Sequence, residues 1–92
     1  MKYFVYILYS PSVDSFYKGQ TSNIEDRIKR HNAAQEKATK NGIPWNLVWS
    51  TRKETRGEAL ILERKLKNLS RERTIDFITK YKDGVASPDV QK

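Results

Sequence analysis

Tyr3-Phe4-Val5-Tyr6-Ile7-Leu8-Tyr9 is the stretch on which the fold turns. It is β-branched and aromatic with almost no polar interruption, which is how a strand covered on both faces reads. Ser10 to Ser15, with Pro11 and Asp14, is turn sequence, and Phe16 to Thr21 resumes as a second strand, so the pair reads as a hairpin with a six-residue loop. Asn23 is a good helix N-cap, and Glu25 and Asp26 fall in the first turn, where the helix dipole favours acids. That helix is expected from Ile24 to Ala34. Gln35 to Pro44 is polar and lysine-rich, with Asn41-Gly42 as a stop signal and Pro44 blocking helix; part of it reads as a mobile loop. Asn46 to Thr51 is a third strand, Thr55 to Lys67 a second helix, and Ser70 caps a last helix in which Ile75, Phe77, Ile78 and Tyr81 share one arc. Residues 1–82 read as one domain. Residues 83–92, polar with Gly84 and Pro88, read as a frayed tail. The order is β-β-α-β-α-α, an α+β arrangement with helices packed on a small sheet.

Composition narrows the partners. The chain has 92 residues, enough for a core with little to spare. No apolar run approaches the roughly 18 residues of a membrane span. Met1-Lys2-Tyr3 runs straight into the first strand, so a cleavable signal would consume that strand, and a cytoplasmic location is expected. The absence of cysteine excludes disulfides, thiolate zinc sites and cysteine nucleophiles. Eighteen Lys and Arg against eleven Asp and Glu give a net charge of +7. That balance suits a polyanion, nucleic acid first and an anionic membrane surface second. No amphipathic helix with a Trp/Phe/Leu face stands out, so the membrane falls behind. Many small soluble proteins are basic for solubility alone, and motifs must decide.

One helix carries an anomaly. Ala59, Leu62, Leu66 and Leu69 line one stripe, Leu60 extends its edge, and Glu63 falls inside the same arc. An ionised carboxylate there loses solvation unless a cation, hydrogen bonds or a wet cleft compensate. It is either an edge position or an acid presented to something. The first helix repeats the pattern. Ile24 and Ile28 mark its buried face, His31 falls on the same side, and Arg27 flanks it. Alone, His31 reads as a hydrogen-bonded histidine at a core edge and Arg27 as a solvated residue that buries its stem. Together they set a permanent cation and a titratable base one turn apart. In the preceding strand, alternation puts Tyr17 and Gly19 on one face. A glycine inside a strand marks a bulge or a close approach to the backbone, here either a bulge leading into the helix or the floor of a cleft with Tyr17 at its edge. In the first strand Tyr6 shares a face with Phe4 and Leu8.

These residues carry a resemblance. Phe4-Val5-Tyr6, then Tyr17-Lys18-Gly19, then Arg27, then Glu63 in a Glu-Ala-x-x-x-Glu-Arg-x-x-Lys setting, resembles the GIY-YIG nuclease superfamily, in its small single-domain bacterial branch. The stretch from Gly19 to Asn32 is the most characteristic. The resemblance implies a three-stranded antiparallel sheet flanked by helices, and phosphodiester cleavage with one divalent metal ion. It implies that Tyr6 and Tyr17 are the motif tyrosines, one of them taking the proton of the attacking water. It further implies that Arg27 holds the scissile phosphate, that Glu63 binds the metal, and that His31 relays or shares the base role. Lys67 and Arg71 lie where that branch often places basic residues. Phe4 and Val5 depart from the motif as apolar strand residues that can replace their counterparts. Lys18 replaces the usual isoleucine and points to the opposite face from Tyr17.

The chemistry suits the residues. Mg²⁺ or Mn²⁺ can be held by one carboxylate with water and phosphate oxygens, so a lone Glu63 suffices. Arg27 offers phosphate a planar fork. A tyrosine base has an ordinary pKa near 10 and is expected to be lowered by Arg27, the metal and Lys18; His31 has the more suitable resting value. Two functions remain: a metal-dependent endonuclease on DNA or other nucleic acid, and a nucleic-acid-binding module of the same fold without turnover. A basic face docking an acidic protein has no specific support. No groove-reading element is visible, so little sequence specificity is expected unless a protein partner or homodimer supplies it. Trp45 and Trp49 can stack on bases, but Trp49 reads as core and Trp45 as packed beside Pro44. Phosphate contacts are expected from Gly19, Lys29, Arg30, Lys40, Lys67 and Arg71, although a lysine-rich loop is equally a solvated one.

Overall fold

The computed structural model describes residues 2–82. Strands β1 (Tyr3–Ser10) and β2 (Ser15–Thr21) lead into helix α1 (Ile24–Asn32) and a 3-10 turn (Lys40–Gly42). Strand β3 (Asn46–Lys53) and helices α2 (Arg56–Lys67) and α3 (Arg71–Lys80) follow. The strands form one antiparallel sheet in the order β2-β1-β3. The α+β order β-β-α-β-α-α is the one read from the sequence, and among the described residues no helix is long and apolar enough to cross a membrane.

Strand β1 pairs on both sides and is covered on both faces, with Val5, Tyr6, Ile7 and Leu8 all fully buried. One face belongs to α2 and α3: Val5 and Ile7 join Trp49, Ala59, Leu62 and Leu66, with Phe77, Ile78 and Tyr81 packed against them. The other belongs to α1 and the segment after it: Tyr6 and Leu8 join Trp45, with Tyr17, Ile24, Ile28 and Ile43 around them. Each buried Leu-sized side chain contributes about 1.5–3 kcal/mol, so these two layers carry most of the fold. The helices start where their caps lie. Asn23, Thr55 and Ser70 accept from the backbone N–H groups of Asp26, Glu58 and Arg73.

Several boundaries differ from the sequence reading. Ser10 pairs with Ser15, so the hairpin loop is four residues rather than six, and Asp14 at φ 50° makes the turn. Helix α1 stops at Asn32 because Ala34 takes a left-handed φ of 62°. Thr55 caps α2 instead of belonging to it, and β3 runs on to Lys53. Ile75 leaves the buried arc of α3 and is 39% exposed. Leu60, expected at the edge of the α2 stripe, is likewise exposed. The segment from Gln35 to Pro44 is tied down. Asn32 bonds both backbone groups of Trp45, at 2.6 and 3.1 Å, and the Trp45 indole N–H donates to the Thr39 carbonyl at 2.6 Å. Trp45 is therefore a core residue with a hydrogen-bonded edge and not merely a neighbour of Pro44. The tail at 83–92 lies outside the described residues.

Candidate active site

Tyr6 and Gly19 are direct cross-strand partners, and the tyrosine ring crosses over the glycine. A Cβ on Gly19 would stand 2.7 Å from the Tyr6 hydroxyl oxygen, 2.9 Å from Cζ and 3.2 Å from the Tyr17 ring. The register from Phe4↔Thr21 to Ser10↔Ser15 is unbroken, so Gly19 marks no bulge. It is a close approach, made by the protein's own phenol.

That phenol reaches α1. The Tyr6 hydroxyl meets His31 Nε2 at 3.0 Å, and His31 Nδ1 meets Thr39 Oγ1 at 2.7 Å. Thr39 in turn donates to the Glu36 carbonyl at 3.4 Å. Tyr6, His31 and Thr39 are all essentially fully buried. Tyr17, half-buried, packs its ring 5.0 Å from the His31 ring and 6.3 Å from Trp45. Arg27, also half-buried, lies close enough to bear on the Tyr6 hydroxyl as charge and donor.

Burial governs the protonation states here. It pushes the Tyr6 phenol up to about 12, with Tyr17 adding to the shift and Arg27 opposing it. At Tyr6 the lowering by the Arg27 guanidinium is outweighed by desolvation. Burial also pushes His31 below its usual value, with Arg27 and Arg30 in the same sense and Glu36 against. The imidazole is neutral at neutral pH, bonded on both nitrogens.

Glu63 sits in the other layer. Its side chain is 13% exposed; Oε1 accepts from Gln20 Nε2 at 3.0 Å and Oε2 pairs with Lys67 Nζ at 2.9 Å. A carboxylate inside the apolar arc is thereby compensated at both oxygens. Gln20 is the cross-strand partner of Val5 and so faces α2, while its neighbour Gly19 faces α1. Tyr6, Tyr17, Arg27 and His31 come together on one side of β2, and Glu63 stands on the other. Among the described residues β2 is the edge strand of the sheet, so the two groups lie on opposite faces of an edge strand.

The basic residues divide. Lys29, Arg30 and Lys40 are exposed near α1, with Arg30 in a loose pair with Glu36 at 3.8 Å. Lys67 is engaged by Glu63. Arg71 bonds Asp14 at the hairpin tip at 2.7 Å, and the Tyr9 hydroxyl donates to the same oxygen. Lys18 is half-buried. Among the described residues no cluster of three or more His, Cys, Asp or Glu could hold a metal. Sequence reasoning missed Gln20, Thr39 and Asn32. Alternation assigns Gln20 to the face opposite Tyr17, but only the packing of α2 against β2 shows that it meets Glu63.

Residues 2–76 match the model of the GIY-YIG catalytic domain. A UPF0213 protein of Staphylococcus haemolyticus is 36% identical over 78 residues, covering 84% of this chain and 94% of that protein. A UPF0213 protein of Natronomonas pharaonis is 34% identical over 70 residues, covering 75% of this chain and 81% of that protein. The solution NMR structure of a UPF0213 protein from Bacillus halodurans superposes with a TM-score of 0.57 at 31% identity, covering 86% of this chain and 84% of that one. With the catalytic-domain match spanning both strands of the hairpin, α1, α2 and the start of α3, the chain belongs to the GIY-YIG family.

Proposed function

We propose that the protein is a divalent-metal-dependent endonuclease that hydrolyses phosphodiester bonds of DNA with little sequence specificity. One observation carries the reading: the Tyr6 hydroxyl, lying over Gly19, meets the neutral His31 imidazole with the Arg27 guanidinium beside it. Arg27 binds the phosphate oxygens through its planar fork and opposes the charge that develops on them. At neutral pH the imidazole is the better proton acceptor, since a phenol pushed up to about 12 stays protonated. Tyr6 is then the path to it: its oxygen takes the proton of the attacking water as its own proton passes to Nε2. Tyr17 flanks this pair with its half-exposed ring.

Glu63 would hold Mg²⁺ or Mn²⁺. Such ions keep several waters and fill their remaining positions with phosphate oxygens, so one carboxylate fits. Lys67 must release Oε2, while Gln20 keeps Oε1 oriented. When bound, the ion supplies Lewis-acid neutralisation of charge on the phosphate. Lys29, Arg30 and Lys40 are the exposed cations next to α1 and would track the flanking phosphates, and specificity beyond charge and shape would have to come from a protein partner or a second copy.

The alternative is a binding module of the same fold, favoured by the closed Glu63–Lys67 pair and the full burial of Tyr6. Cleavage of linear, nicked and branched DNA with Mg²⁺ or Mn²⁺, wild type beside Glu63→Ala, separates the two. A nuclease gives metal-dependent products that the variant loses. Salt-sensitive binding without products from either protein would establish the binding module.

A further inference from the structure

We propose that Thr39 is a positioning residue of this site, fixing His31 as its Nδ1–H tautomer so that the Nε2 lone pair faces the Tyr6 hydroxyl. The inference rests on the reading of Tyr6 and His31 as the proton-handling pair. Two independent ends of the network require the same tautomer. At one end, Thr39 has a single hydroxyl proton, which we infer goes to the Glu36 carbonyl at 3.4 Å, a group that can only accept. Its oxygen is therefore the acceptor toward Nδ1, 2.7 Å away, and Nδ1 must carry the hydrogen. At the other end stands the Tyr6 hydroxyl, whose residue is fully buried. The buried phenol proton needs an acceptor, and Nε2 at 3.0 Å is the one it meets. An Nε2–H tautomer would leave the phenol proton without that acceptor.

Thr39 is itself held from outside α1. The Trp45 indole donates to its carbonyl at 2.6 Å, and Asn32 clamps the Trp45 backbone. Gly42 lies under the indole, where a Cβ would collide with the ring. The segment between α1 and β3 thus serves His31 as a fixed acceptor. In this reading Thr39 touches neither substrate nor metal and acts through the imidazole alone.

The chain has one histidine, so ¹⁵N correlation spectra of the labelled full-length protein show a single imidazole. The expected wild-type spectrum at neutral pH has Nδ1 protonated and Nε2 bare. Thr39→Val keeps the volume and removes the hydroxyl; the ring is expected to shift toward Nε2–H, and Thr39→Ser to restore it. In cleavage assays Thr39→Val is expected to lower kcat by about 100-fold with KM little changed, the low end of what acid–base assistance supplies, and Thr39→Ser to recover most of it. A wild-type ring protonated on Nε2, or a folded Thr39→Val that keeps Nδ1–H, overturns the proposal. Should the valine variant not fold, Thr39→Ala provides the same comparison. A protein that cuts no DNA yet shows the tautomer change leaves this inference standing and overturns the nuclease reading instead.

Discussion

The two faces of β1 are built on opposite principles. Val5 and Ile7 look into an apolar layer in which Trp49, Ala59, Leu62 and Leu66 bury hydrocarbon against hydrocarbon. Tyr6 and Leu8 look into a layer that contains a phenol, an imidazole and a threonine hydroxyl bonded in series. Dispersion and desolvation of carbon are non-directional and tolerate imperfect partners. A buried polar chain does not, because each member left unmatched costs about 1–3 kcal/mol. The first layer therefore supplies most of the stability, with Glu63 and its polar partners at its edge, and the second supplies geometry.

The sharpest break of this contrast is made on the apolar side. Leu62→Ala, at a position 1% exposed, is expected to lose about 2–5 kcal/mol. Urea unfolding would read that loss, while cleavage per folded molecule stays near wild type. Gly19→Ala probes the polar side. Its methyl would sit 2.7 Å from the Tyr6 oxygen, so the phenol must move. Overpacking of this kind costs about 1–3 kcal/mol, and the displaced hydroxyl is expected to lower cleavage by about 100-fold. Activity thus falls further than stability, the reverse of Leu62→Ala.

The finest distinction is in pH. His31 is lowered in the folded state, so the unfolded chain takes up its proton first as pH falls below about 6.5. Stability from this site is complete above that value and is lost as pH drops through the folded pKa. Tyr6 is raised, so the unfolded chain loses its phenol proton first, and stability is lost as pH rises from about 10 towards about 12. Arg27, Arg30 and Glu36 modulate the acid limb, and Tyr17 and Arg27 the alkaline one. Chemical denaturation across pH should show both limbs, with the acid one reduced in His31→Gln and the alkaline one in Tyr6→Phe. Buried leucines contribute no such dependence.

Much of this was legible beforehand because it is local. Alternation placed Tyr17 and Gly19 on one face of their strand and Tyr6 beside Phe4 and Leu8 in its own, and the helical wheel placed Glu63 and His31 among apolar neighbours. Asn23 and Ser70 announced their helices by side-chain chemistry alone. The unread parts depend on chain segments meeting across the fold. Gln20 finds Glu63 only when α2 packs on β2, and Thr39 finds His31 only when the segment beyond α1 folds back under Trp45. The raised pKa of Tyr6 went unread for a related reason: sequence displays the cations near Tyr6, but burial is a property of the assembled layers.

Because β1 is paired on both sides and its neighbours alternate between the two layers, its register fixes more than position. Sliding it by one residue would point Val5 and Ile7 at the imidazole and Tyr6 into the leucines of α2. A single-residue insertion or deletion between Tyr3 and Tyr9 thus removes stability and chemistry at one stroke. The four-residue turn at Pro11–Asp14 is exposed and lies outside both strands, so a change of length there leaves the alternation within each strand intact. Length variation is therefore open to descendants of this chain at the hairpin tip and closed to them in the central strand, whatever substitutions they accept.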